Sequence, residues 1–257
     1  MKTTLFILFI SFIGINSLKA QDTLRVSHPS DSVQSPYVNE KGEKIRFNGH
    51  VAGIYAGFIH FIQTDYSAYK EKDFMKLKIT HSYTLALNLI EINIGLQKVK
   101  NNIGIVAGIG AEFQNMELDH KISVQKEKSG RTAPLTPTEG KIKSSRLMLA
   151  TANIPVMLEF QMPSRVKSRF HMAFGTVCSY NFFSQTKIKL VEDQFPHPVK
   201  TMKSTQSINL SRFKFDLMAQ MGGNHFAVWS RYGLTPLFKK DKGPELHQLS
   251  FGASILF

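Results

Sequence analysis

The sequence predicts an all-β protein: one eight-stranded antiparallel up-and-down transmembrane β-barrel. Three observations carry that expectation. Apolar residues recur at every second position in segment after segment, and nothing beyond the N-terminus sustains a 3.6-residue period. The gaps between these segments alternate between long and short. The segments number eight, an even count, as in single-chain bacterial outer-membrane barrels.

The expected strands, in order, cover 47–62, 79–97, 103–118, 146–162, 169–183, 212–222, 225–238 and 247–257. In the sixth, Phe213, Phe215, Leu217, Ala219 and Met221 share one face, and Arg212, Lys214, Asp216, Met218 and Gln220 the other. In the fifth, Phe170 to Phe182 at alternate positions oppose a row from Arg169 and His171 to Asn181. The third alternates Ile103, Ile105 and Ile109 with Gly104, Val106, Gly108, Gly110, Glu112 and Gln114. The second changes phase between Leu89 and Ile90, which a β-bulge restores. Pro155 lacks an N–H and needs a bulge or an unpaired place in the fourth.

Long gaps (63–78, 119–145, 184–211) and short ones (98–102, 163–168, 223–224) fall at opposite rims of an up-and-down barrel. Outer-membrane barrels have short periplasmic turns and longer outer loops. Both termini then lie on the periplasmic side. In hydrocarbon every backbone polar group needs a protein partner, so the last strand must pair with the first.

Apolar rows are expected to face lipid and the other rows the lumen. The inward charges Glu91, Glu112, Glu159 and Asp216 are expected to meet Arg169, Lys214, Arg231 and His171. Eight strands enclose a lumen that side chains can fill, so a salt-bridged plug is expected rather than an ion path.

An address precedes the barrel. Lys2, the apolar run from Leu5 to Ile15, and Leu18-Lys19-Ala20 fit a secretory signal over 1–20. That run is short for a ~20-residue membrane helix. Residues 21–46, with Pro29 and Pro36, read as a flexible periplasmic leader, and 47–257 as the barrel. The single cysteine, Cys178, excludes an internal disulfide framework and reads as a small lipid-facing residue.

The net charge of +13 is concentrated in the long gaps. They hold Lys70, Lys72, Lys76 and Lys78; Lys121, Lys126, Lys128, Arg131, Lys141 and Lys143; Lys187, Lys189, Lys200 and Lys203; and Lys239, Lys240 and Lys242. An exported basic protein is not expected to meet nucleic acid. Outer-membrane lipid and lipopolysaccharide are the expected partners, together with envelope proteins at the loops. A monomer is expected.

No GxSxG, HExxH or phosphate-loop motif is present. His81, Ser82, Glu117, Asp119 and His120 gather near one rim, but adjacent strand residues point to opposite faces, so His81 cannot readily serve Ser82. No enzyme activity, metal or cofactor is expected; a lipid-modifying enzyme is the weakest alternative. A porin, transport or secretion-machinery component is the stronger one. A soluble lipocalin-like barrel conflicts with the Phe213-Phe215-Leu217 row.

The signal ending Lys19-Ala20-Gln21, "NIPVMLEF" at 153–160, "YGLTPLFKKDKGPE" at 232–245 and "LSFGASILF" at 249–257 together resemble the PorT-like outer-membrane β-barrel family. The likeness covers 47–257 as a pattern. It implies an outer-membrane barrel, in a family that includes a secretion-system protein but mostly members without an assigned role. The final strand also resembles the signal read by the barrel-assembly machinery. Phe257 would be its key residue, supported by Phe251, Ala253 and Ile255.

Overall fold

The structure, a computed structural model, describes residues 47–97, 102–119, 122–127, 130–135, 141–162, 170–191, 199–204 and 208–257. The signal and leader expected over 1–46 lie outside the described residues, as do Arg169, His120, Lys121 and Lys128.

The described strands are β1 (Gly53–Asp65), β2 (Tyr83–Gly95), β3 (Ile103–Glu117), β4 (Ser123–Lys126), β5 (Thr132–Leu135), β6 (Lys141–Gln161), β7 (His171–Val191), β8 (Val199–Ser204), β9 (Phe213–Gly222), β10 (Phe226–Gly233) and β11 (Glu245–Leu256). Eight of them close a ring of antiparallel neighbours: β1, β2, β3, β6, β7, β9, β10, β11 and back to β1. The protein is an all-β, closed eight-stranded antiparallel barrel. β4 and β5 form a separate hairpin within the β3–β6 connection, and β8 adds to the upper part of β7.

Closure rests on the β1–β11 seam, which runs in register from Gly53↔Leu256 to Ile62↔His247. Gly57 lies opposite Gly252, and Trp229 on β10 lies opposite Gly252 on its other side. A side chain at Gly57 would meet the Trp229 indole at 2.7 Å. The glycine therefore clears the inner wall for the lone tryptophan, whose Nε1 donates to the Ala253 carbonyl at 3.0 Å.

The expected phase change in the second strand is a bulge: the β2–β3 register shifts between Asn88 and Ile90, leaving Leu89 extra and both Leu89 and Ile90 exposed. Pro155 pairs with Val177 on β7, while the ladder to β3 lapses between Ala107↔Val156 and Gly110↔Asn153 without a shift. The missing N–H is accommodated at that lapse.

Side chains sort by face. Ile54, Leu85, Ile92, Ile105, Ile154, Phe174, Phe213, Val228 and Phe251 are exposed on the outer wall. Thr84, Glu112, Asn153, His171, Lys214, Asp216, Gln220, Arg231 and Gln248 are buried inside. This is the inverse of a soluble barrel.

Several expected bounds are corrected. The first strand begins at Gly53, not at 47, because residues 47–52 leave the wall and enter the lumen. Ile79–His81 is a single 3-10 turn, and β2 begins at Tyr83. Arg212 is exposed just before β9 rather than inward. β6 and β7 reach 21 residues each, deep into the expected loops 119–145 and 184–211. There the pattern reverses: Ile142 and Ile188 in the extensions, and Leu147 at the start of the expected fourth strand, are buried, while Lys141 and Lys143 are exposed. Reading for apolar outer rows misses a stretch whose apolar row faces in.

Candidate functional site

The lumen is the candidate site, because wall alternation aims most of the buried polar side chains into it. Three layers fill it.

The middle layer is polar and charged. Glu112 on β3 sits at its centre. Its Oε1 accepts from Thr84 on β2 at 2.5 Å and from Gln114 at 2.8 Å, and its Oε2 accepts from Asn153 on β6 at 2.7 Å. Arg231 on β10 donates to the same carboxylate and places its Nε 3.5 Å from Asp216 Oδ2 on β9. Lys214 on β9 donates to Gln248 on β11, which donates to Gln114 at 3.2 Å. One network thus ties six of the eight staves. A buried charge is tolerated when it is paired and its remaining hydrogen-bonding capacity is met.

The layer at the short-turn end is built around residues 47–52. Phe47 is buried over Gly104, where a side chain would collide with its ring. Glu91 Oε2 accepts the backbone N–H groups of Val51 at 2.6 Å and Ala52 at 2.7 Å. Glu159 accepts the His50 N–H at 3.0 Å and contacts His50 Nδ1 at 2.7 Å. Asn88 donates to the Val51 carbonyl at 3.1 Å, Gln220 to the His50 carbonyl at 2.7 Å, and Gln161 to the Asn48 carbonyl. The His50 and His171 rings stack in parallel with centroids 4.2 Å apart. The segment is held as a stopper. The N–H groups of His50, Val51 and Ala52 are taken by side chains, so the chain departs from the β1 ladder just beyond the Phe257 N–H, which donates to the Ala52 carbonyl at 3.2 Å.

Between these layers lies a cavity of about 20 Å³ lined by Tyr55, Asn88, Pro155, Trp229 and Arg231 among others. That is room for about one water molecule.

The layer at the long-loop end is apolar. Phe74 and Met75 from the β1–β2 connection, Leu118, Val124, Ile208, Leu210, Leu237 and Phe238 pack onto Ile59, Met116, Leu147 and Leu246 of the wall. Tyr66 and Tyr69 flank Phe74 with centroids 5.3 and 5.4 Å away, and burial pushes the Tyr66 hydroxyl up to about 12.

The structure therefore separates the seven charges named from sequence. Glu112, Arg231, Asp216 and Lys214 come together; Glu91 and Glu159 instead hold backbone and His50 at the turn end; Arg169 lies outside the described residues. His171 meets Gln220 and His50 rather than a carboxylate. Phe251, Ala253, Ile255 and Phe257 are all exposed on the outer row of the last strand. Cys178 is half-buried on the outer row of β7.

Sequence reasoning missed the 47–52 stopper and the apolar cap. Gly49 and Gly104 mark the first, since a side chain at Gly49 would strike Val106. Isolated apolar pairs in charged loops, Phe74-Met75 and Leu237-Phe238, mark the second.

At the rim, His81 is exposed with its Nδ1 3.0 Å from Thr80, while the Ser82 hydroxyl is fully buried and accepts the Glu117 N–H at 3.1 Å. Glu117 is paired with Arg146 at 2.6 Å. These residues do not form a nucleophile–base pair. Among the described residues no cluster of three or more His, Cys, Asp or Glu could hold a metal ion. No family model matches the chain, and no curated protein matches it.

Proposed function

We propose that this chain is an integral outer-membrane β-barrel protein with a stoppered lumen, acting as a structural or interaction platform through its basic outer loops. The observation that carries the reading is the outer belt. Leu89 (63% exposed), Phe213 (60%) and Phe226 (69%) belong to a ring of large apolar side chains around a closed wall with a polar interior. Exposed apolar patches of this extent have no place on a soluble monomer and fit hydrocarbon. Along β2 exposed apolar side chains run from Tyr83 to Ile94, enough to cover the ~9–11 residues of a tilted membrane strand. The reversal of pattern within β6 and β7 supports an outer boundary of the membrane near Phe183.

The layered lumen supports a platform rather than a porin, and the rim geometry supports a non-enzymatic role. The PorT-like resemblance of 153–160, 232–245 and 249–257 supports the same reading. Outer-membrane localisation is tested by fractionation and heat modifiability. The outer-membrane fraction should hold a band that runs faster unboiled than boiled. A soluble periplasmic protein without a mobility shift would remove the reading.

Recognition by the assembly machinery is part of this proposal. Phe257 is 69% exposed at the end of the outer row, so Phe257→Ser should leave the folded wall little changed. The expected result is a several-fold loss of outer-membrane protein in cells, with refolding of the purified variant in detergent unaffected. Normal cellular yield would show that Phe257 is not read.

A further inference from the structure

Above the belt, the register sets cations side by side on the outer face. Arg146 on β6 lies directly opposite Lys187 on β7, and Ser144 lies opposite Lys189. On the other side of β7, Thr201 of β8 lies opposite Lys189 and the Lys203 backbone opposite Lys187. The intervening Leu147 and Ile188 are buried inward, so Arg146, Lys187 and Lys189 face out. Glu117 completes the row opposite Arg146 and accepts its Nε at 2.6 Å. The terminal guanidinium nitrogens of Arg146 have no partner among the described residues, and no described carboxylate pairs with Lys187 or Lys189.

Directly opposed like charges disfavour a strand pair, because their Cβ atoms lie only ~4.5–5.5 Å apart. Among the described residues, the one carboxylate in this row, Glu117, pairs with Arg146 alone. An anion with several oxygens relieves the repulsion, and a phosphate suits the fork of an arginine with a lysine beside it. Depth identifies its source. Phe182 and Phe183 are the last exposed aromatics on β7. Lys187 follows Phe183 by four residues, ~14 Å along the strand and about 10 Å along the normal at a tilt of ~40°. That is headgroup depth. Seven residues further down β7, Tyr180 pairs with Phe213 of β9 on the outer face with centroids 5.1 Å apart, part of the apolar surface for acyl chains.

We propose that Arg146, Lys187 and Lys189 form a binding site for the phosphate of an outer-leaflet lipid headgroup. This rests on the membrane reading above and assigns it a specific lipid contact. It also explains why β6 and β7 continue beyond the hydrocarbon: the extension brings the cations into register at the right height.

The test uses the full chain folded in detergent and the temperature at which its fast-running band is lost. Doubly phosphorylated lipid A, the same lipid stripped of phosphate, and inorganic phosphate are added separately. The phosphorylated lipid should raise the midpoint by roughly 5–10 °C at a hundredfold excess over its Kd. The other two should not. Lys187→Ser with Lys189→Ser should lose the shift, Lys187→Arg with Lys189→Arg should keep it, and Lys239→Ser with Lys240→Ser in the β10–β11 loop should not matter. An equal shift with stripped lipid, or a full shift in the double serine variant, overturns the site. An equal shift with inorganic phosphate overturns the lipid as occupant. A parent protein without a fast-running band overturns the membrane reading and this proposal with it; a folded parent without a phosphate-dependent shift overturns this proposal alone.

Discussion

Arg231→Met is expected to destabilise the folded barrel by about 3–5 kcal/mol, because removing one partner of a buried ion cluster strands the others. Arg231 is 8% exposed, donates to Glu112 and lies against Asp216. Without it two carboxylates remain inside the wall, and no other cation forms an ion pair with either among the described residues. The urea midpoint of the protein in detergent should fall well below that of the parent. Arg231→Met combined with Glu112→Gln and Asp216→Asn should recover most of the loss, since neutral groups cost far less to bury. An unchanged midpoint in the single variant would mean that the cluster does not hold the staves together.

The second large effect is expected at the turn end. Glu91→Ala together with Glu159→Ala removes the acceptors of the N–H groups of His50, Val51 and Ala52. Hydrogen bonds to charged groups contribute roughly 1.5–3 kcal/mol each, so the 47–52 segment should leave the lumen. The check is labelling of Val51→Cys in a Cys178→Ser background by a water-soluble thiol reagent. Val51 is 2% exposed, so the parent should resist labelling and the double alanine variant should react. Equal protection in both would mean that packing of Phe47 and Val51, not the carboxylates, holds the segment. Conductance in a planar bilayer should stay at baseline in either protein. The apolar layer of Phe74, Met75, Leu237 and Phe238 at the far end does not depend on this segment.

Much of the wall was legible because alternation is a local property. The Phe213-Phe215-Leu217 row and its partners Lys214 and Asp216 sit on opposite faces whatever the rest of the chain does. The same argument located the bulge at Leu89 from a phase change alone. It failed at Lys187-Ile188-Lys189. There the strand continues past the belt with its apolar residue inward, and the lysines resembled a solvated loop. It failed again at 47–52. A short apolar stretch next to a strand reads as more strand, yet side-chain acceptors on β2 and β6 draw its N–H groups inward.

The sequence by itself determined the number of barrel staves, their order, the rim that carries the long loops, and which face of most staves is greasy. Each follows from spacing along the chain. Only the tertiary structure decided which inward charges meet. Glu112 finds Arg231 across 119 residues, while Glu91 and Glu159 find a backbone segment instead. The physical reason is that the height of a side chain inside a barrel depends on stagger and tilt summed around the ring. No local pattern carries that sum, so the contents of the lumen had to be seen.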